Sequence, residues 1–251
     1  MIESHPLSPL VRRWSDYAPL TPGDCNALLS LPFTRKSFTR DSYLVRDGQQ
    51  VSNCTLLLSG FAFRQKLVRN GGRQIISFHI PTEFVDLQNG LLAVADHSVQ
   101  CLTACDVAIV PRRALMEIAD EHPAIRMAMW METLVDASIF REWVVNVGRR
   151  DSRARIAHLL CEMAVRLKAI GSGQEDTYEF PVTQEQLADA TGLTPVHTNR
   201  TLQALRRNGL IQLTARSLKI LDWPGLCDAG DFDPTYLHQP PEMAERSAEA
   251  G

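Results

Sequence analysis

No two cysteines in the chain have CxxC spacing. Cys25, Cys54, Cys101, Cys105, Cys161 and Cys227 are scattered, and only Cys101 and Cys105 lie close, with three residues between them. This argues against a zinc ribbon or a four-cysteine iron–sulfur site, both of which need thiolates paired at short spacing. The six read as small core or surface residues, and any redox role would fall first to Cys101 and Cys105. Long apolar runs are also missing. No stretch approaches ~18 residues, and the opening MIESHPLSPLVRRWSDYAPL holds no apolar segment of signal-peptide length. The expected setting is therefore cytoplasmic, with reduced thiols and no membrane partner. GxSxG, P-loop and HExxH motifs are absent, so an enzyme is not expected and no catalytic or metal-ligating residue is assigned. Nor is there a basic excess: 26 Lys and Arg against 29 Asp and Glu leave a net charge of -3 over 251 residues. Any basic surface must be local.

What is present changes texture along the chain. From about Phe33 to Pro111 short apolar bursts such as NCTLLLSGFAFRQKLV and RQIISFHI alternate with turn residues, the pattern of many short antiparallel strands in a barrel or sandwich. Asn70-Gly71-Gly72 marks a hairpin, because these residues tolerate the positive φ of a tight turn. After Arg112 the turn residues disappear, and a long helix is predicted from about Pro123 to Val147. Leu134, Ala137, Phe140, Val144 and Val147 recur at steps of three and four, with Trp130, Ile139 and Trp143 widening the stripe. Such a helix is either buried in a core or paired with its twin. The homodimer is favoured, since a single helix between two domains has little else to pack on. Gly148 is expected to interrupt it before a second helix bearing Ile156, Leu159, Leu160 and Met163.

The most informative segment is VTQEQLADATGLTPVHTNRTLQALRRNGLIQL. Thr183 and Gln186 form a capping box, Gly192 permits a tight turn, and Thr194 with Pro195 starts a second helix that Asn208-Gly209 ends. This is a helix-turn-helix. Thr198, Leu202 and Leu205 turn inward, while Val196, Arg200, Gln203 and Arg207 share the opposite side with Asn199 beside them. A polar, arginine-bearing face suits the major groove, where Arg reads guanine and Asn or Gln reads adenine. Two strands joined at Ala215-Arg216-Ser217 follow as a wing. Arg206, Arg207, Arg216 and Lys219 are placed for phosphates. From Gly148 to Trp223 eleven basic residues stand against eight acidic ones, so this stretch is +3 and the rest -6. The predicted interface comprises Thr194, Pro195, Val196, His197, Asn199, Arg200, Gln203, Arg207, Arg216 and Lys219, with double-stranded DNA as partner.

Strands, long helix and winged helix-turn-helix, in that order, resemble the bacterial Crp/Fnr regulators. LLLSGFAFRQKLV with RQIISFHIPTEFVDLQ resembles the family's sensor roll, GRRDSRARIAHLL its hinge, and GLTPVHTNRTLQALRRNGLI its recognition helix. The resemblance spans about Thr21 to Leu221 and is most specific in the last of these. It implies an α+β fold: an N-terminal extension (1–20), an antiparallel β-roll of cyclic-nucleotide-binding type (21–122), a dimerisation helix (123–147), a winged helix-turn-helix (148–225) and a tail (226–251). After about Asp228 the sequence is rich in Pro, Ala and acid, and most of that stretch is expected to be mobile. It places Pro195, Val196, Asn199 and Arg200 where base readers sit, with Thr198 in place of the usual apolar β-branched residue. It also implies RNA polymerase as a further partner.

The sensor departs from the resemblance. Cyclic-nucleotide binders of the family use a Gly-Glu pair and, some ten residues on, an Arg-Ser or Arg-Thr pair. Here Val85-Asp86 replaces the first, and no Lys or Arg occurs from Leu87 to Pro111. A buried phosphodiester needs a compensating cation or many amide donors, so cyclic AMP is not expected. The oxygen-sensing branch carries a cysteine cluster near its N-terminus, where only Cys25 lies, so an iron–sulfur cofactor is not expected either. Haem would find candidate ligands in His79, His97 or Met127, each of which reads first as a packing or surface residue. The alternative reading is a ligand-binding module that regulates a protein partner instead of DNA.

Overall fold

The computed structural model describes residues 5–239. The chain divides into two compact units, residues 1–67 with 77–136 and residues 68–76 with 137–251. No helix among the described residues is long and apolar enough to cross a membrane.

The roll holds two sheets. One has the order β1-β7-β3, from Thr34–Phe38 (β1), Cys105–Pro111 (β7) and Asn53–Ser59 (β3). The other has the order β2-β6-β4-β5, from Tyr43–Val45 (β2), Ser98–Cys101 (β6), Ala62–Leu67 (β4) and Arg73–His79 (β5). The pairs β1·β7, β3·β7, β2·β6 and β4·β6 are antiparallel. The predicted hairpin forms at Asn70-Gly71-Gly72, where Gly71 takes φ +83° and Val68 N–H donates to Gly72 O at 2.9 Å.

Side chains alternate across a strand, and this sorts the apolar residues of β3 and β7 into two cores. Leu57 and Val107 join Val45, Val85, Val99, Cys101 and Cys105 in one cluster. Leu56, Ala108 and Val110 join a second, made largely by helices. Those helices are Ser8–Tyr17 (α1), Pro22–Leu29 (α2), Arg112–Glu121 (α3) and the start of Pro123–Arg149 (α4). The segment expected to be an extension is thus part of the core: Leu7, Leu10 and Trp14 of the first 20 residues are buried, and Trp14 Nε1 donates to the buried Glu132.

Three further expectations need correction. Helix α4 does not stop at Gly148. It runs to Arg149, and the break falls at Arg150-Asp151, where Asp151 accepts from Ala154 N–H to cap Ser152–Ala169 (α5). Glycine in mid-helix costs only about 1 kcal/mol, which packing overrides. The loop GSGQEDTYEF contains a strand, Thr177–Glu179 (β8), because Tyr178 is buried against β10. The tail is ordered as far as it is described. Trp223–Gly230 (α8) and a 3-10 turn at Pro234–Leu237 bury Leu226 and Leu237, while residues 240–251 lie outside the described residues.

Asp86, where the Gly-Glu pair would end, is 1% exposed and accepts from Thr55 N–H at 2.6 Å. Burial pushes its carboxyl up to about 7, opposed by the Thr55 hydrogen bonds and the charge of Arg64. An unfolded aspartate titrates near ~3.9, so between about pH 4 and pH 7 the native chain holds a proton that the unfolded chain has lost. The stabilisation from this group is complete below that window and is lost as the pH rises through it. Asp86→Asn keeps an acceptor for Thr55 without the charge. Urea midpoints of variant and parent should coincide near about pH 4, with the variant higher near about pH 8; equal midpoints at both values would show a solvated carboxylate.

Candidate DNA-binding interface

The second unit builds its interface on α5, followed by Gln184–Thr191 (α6), Pro195–Arg207 (α7) and the wing strands Ile211–Leu213 (β9) and Ser217–Ile220 (β10). The Thr183–Gln186 capping box starts α6 with both reciprocal hydrogen bonds, and Gly192 ends it at φ +65°. Arg155 of α5 braces this turn by donating to Thr191 O at 3.0 Å and to Arg150 O at 2.8 Å. Thr194 Oγ1 accepts from His197 N–H to cap α7, and Pro195 stands at its first position. At the far end Gly209 takes φ +70°, with Gly209 N–H on Arg206 O and Leu210 N–H on Leu205 O. That pair of bonds is a Schellman ending. The buried Leu210 fastens it.

With both ends fixed, α7 presents the two faces expected. Thr198, Thr201, Leu202 and Leu205 are buried. Thr194, Pro195, Val196, His197, Arg200, Gln203 and Arg207 are exposed, with Val196 at 64%, and Asn199 is half-buried. A row of amides crosses the face: Asn199 Nδ2 donates to Gln184 Oε1 and Gln203 Nε2 to Asn199 Oδ1, both at 2.9 Å. Arg200 stands beside this row and makes no hydrogen bond or ion pair among the described residues, so its guanidinium needs no rearrangement to reach an acceptor. The wing forms as expected but is three-stranded, in the order β8-β10-β9. Lys219 is exposed on β10, whereas Arg216 pairs with Glu179 at 3.1 Å and Arg206 donates to Leu213 O at 2.7 Å. Arg206 is thereby tied to the wing backbone.

Two residues near the face were not among those picked out from the sequence. Ser152 and Arg153, in the first turn of α5, line a cleft of about 410 Å³ with Val196, His197 and Arg200 of α7. Asp151 caps that helix by accepting from Ala154 N–H, and the exposed Arg153 brings a cation to the cleft, which suits a phosphate. The signal available was the Asp151 cap, which places Ser152 and Arg153 at the head of a helix. Gln184 was missed as well, because its contact with Asn199 spans the turn.

On α4, Met127 (51% exposed), Trp130 (63%), Leu134 (57%) and Val144 (68%) are bare, and Ala137, Phe140 and Val147 are half-buried. The bare positions follow steps of three, four and ten, which with Ala137 and Arg141 complete a heptad seam of Met127, Trp130, Leu134, Ala137, Arg141 and Val144. Ile139 and Trp143, expected to widen it, face elsewhere: both are buried, and Trp143 Nε1 donates to Glu162 Oε2 at 2.9 Å. In the roll a cation stands outside Leu87 to Pro111, on β4: Arg64. Its guanidinium donates to Val85 O at 2.9 Å and pairs with Asp136 at 3.0 Å.

Residues 154–229 match the Crp-like helix-turn-helix domain and residues 35–122 the cyclic nucleotide-binding domain, the two halves of one architecture in the expected order. The chain belongs to the Crp/Fnr family. It is similar to the transcriptional activator protein FnrL of Cereibacter sphaeroides, 28% identical over 201 residues, covering 78% of this chain and 80% of FnrL. It is also similar to the nitrogen fixation regulation protein FixK of Azorhizobium caulinodans, 25% identical over 84% of this chain and 85% of FixK. The solved structure of FixK2 from Bradyrhizobium japonicum shares the fold, with TM-score 0.73 and 21% identity over 79% of this chain and 98% of that one. As a member of this family the chain is a DNA-binding transcriptional regulator.

Thr198, the departure from an apolar β-branched residue, is fully buried, and its Oγ1 has no hydrogen-bond partner among the described residues. Valine has nearly the same shape without the unsatisfied hydroxyl. Thr198→Val should therefore stabilise the protein by about 1 kcal/mol, read as a higher urea midpoint with unchanged slope. A loss of stability would mean that the hydroxyl has a partner in solution.

Proposed function

We propose that the chain acts as a homodimer that reads a palindromic DNA site through α7, with half-sites about one helical turn apart. The observation that carries this reading is the exposed face of α7, held at both ends and bearing Arg200 without an internal partner. Arg200 reads a guanine, because a guanidinium can meet both of its major-groove acceptors at once. Val196 meets a thymine methyl. Arg207 and Lys219, exposed and without ion pairs among the described residues, hold phosphates, together with Ser152 and Arg153 at the head of α5. Arg216 joins them by exchanging Glu179 for a phosphate.

The partner for α4 is a second copy. A helix exposing tryptophan, leucine and valine along one heptad seam offers its twin the same surface in return, as a two-fold interface requires. The effector is not cyclic AMP: Asp86 is committed to the Thr55 amide and Arg64 to Asp136 and Val85. An iron–sulfur cluster is not proposed, and no group of three or more His, Cys, Asp or Glu suited to a metal occurs among the described residues.

Gel shifts against genomic fragments, then on the selected operator and on scrambled DNA at two salt concentrations, test this function. Arg200→Ala should cost about 1–3 kcal/mol on the operator, leave scrambled DNA almost unaffected and relax preference at one position per half-site. Lys219→Ala should weaken both and flatten the salt dependence. Equal losses for Arg200→Ala on both DNAs would make it a backbone contact, and added cyclic AMP should leave every value unchanged. Failure to shift any fragment specifically would instead favour a protein partner.

The dimer is tested separately by Leu134→Glu with Val144→Glu, which puts carboxylates on the seam. Sedimentation should show a monomer that binds a full site at least tenfold more weakly, since a half-site alone remains to it. A variant that stays dimeric and binds normally would rule out this interface.

A further inference from the structure

Helix α8 crosses α5 at very short range. A Cβ on Gly230 would lie 2.7 Å from the backbone nitrogen of His158 and 3.0 Å from the carbonyl carbon of Ala157. Residues three apart on a helix share a face. Three residues before Gly230 stands Cys227 and three after His158 stands Cys161, so one turn from the crossing the two helices bring a pair of sulfurs together. The two side chains interact with each other, and both thiols are free. Cys161 has no exposed surface, and Cys227 is half-buried, the more accessible of the two.

We propose that Cys161 and Cys227 form a peroxide-oxidisable dithiol whose disulfide ties α8 to α5. The two sulfurs have different roles. Hydrogen bonding from Cys161 lowers the pKa of Cys227, while burial, followed by that same bond, raises the pKa of Cys161. The thiolate therefore sits on the more accessible sulfur. It attacks the O–O bond of a hydroperoxide and takes one oxygen as sulfenic acid, and the departing hydroxide or alkoxide takes up a proton. The Cys161 sulfur then displaces hydroxide from the Cys227 sulfur, its own proton leaving with that hydroxide as water. The two electrons lost by the sulfurs reduce the peroxide. A thiol such as reduced glutathione reverses the bond by exchange.

Cys101 and Cys105 also interact with each other, but are 0% and 2% exposed, and Cys105 S–H donates to Phe61 O at 3.2 Å. Burial inside the roll removes the access that an oxidant needs, and this pair serves as the internal control.

The test uses the full chain, reduced, then treated with stoichiometric hydrogen peroxide, alkylated under denaturing conditions and mapped by peptide mass spectrometry. The expected product is one cross-link between the Cys161 and Cys227 peptides, about 2 Da lighter than their sum, restored by dithiothreitol, with Cys101 and Cys105 recovered as alkylated thiols. Cys161→Ser should stop at a dimedone-reactive Cys227, and Cys227→Ser should leave Cys161 reduced. If either variant fails to fold, judged by circular dichroism, the parent's peptide map decides alone. Cys227 ending as sulfinic acid without a cross-link, both thiols surviving, or Cys101–Cys105 pairing first would each overturn the proposal.

Discussion

A buried charge organises the second unit. The carboxylate of Glu162, with none of its surface exposed, accepts from Trp143 Nε1 and Tyr236 Oη at 2.9 Å and from Arg166 at 3.0 Å. These donors belong to the last turns of α4, to the 3-10 turn after α8 and to α5 itself. Breaking a buried pair by removing one member costs about 3–5 kcal/mol, far more than an exposed pair contributes. Three elements distant in sequence must therefore converge on one atom group, or the unit must leave a charge unsolvated. His158 extends the arrangement, lying 3.1 Å from Tyr236 Oη and 3.2 Å from Gly230 O between the rings of Phe232 and Tyr236. Arg150, paired with Glu142 and Asp231, closes the joint between α4 and α5.

That scaffold explains how a polar helix can be held rigidly at a surface. The buried residues of α7, Thr198, Thr201, Leu202 and Leu205, provide only a narrow apolar face. Orientation comes instead from the ends: the Thr194 cap, the Schellman ending at Gly209 and the Arg155 brace on the preceding turn. Keeping orientation off the outward face leaves Val196 and Arg200 without a part in placing the helix.

Features set by neighbours in sequence were legible before the structure was seen. The Thr183 and Thr194 caps, the hairpin at Asn70-Gly72, the wing and the two faces of α7 all follow from residues within one or two turns of each other. The errors came from contacts made over long separations. Trp14 belongs to the core because Glu132, 118 residues away, and strands β3 and β7 of the roll meet it there. The stretch after about Asp228 is rich in Pro, Ala and acid, yet Tyr236 and Leu237 within it are needed to cover α5. Gly148 reads as a breaker, yet no atom lies within 4 Å of the Cβ it lacks and its backbone stays helical. In the interface, Ser152, Arg153 and Gln184 escaped notice because only the fold brings them to α7, and Arg64 because it approaches Val85 from another strand.

Helix α4 runs unbroken for 27 residues, with no proline after its first position. At 1.5 Å per residue that is a rod of about 40 Å, and a rigid rod is a mechanical lever. A tilt of only ~5° about its midpoint carries each end by nearly 2 Å, whereas recognition chemistry tolerates misplacement of about 0.5 Å. A tilt too small to disturb the packing along the rod is therefore large on the scale of a hydrogen bond.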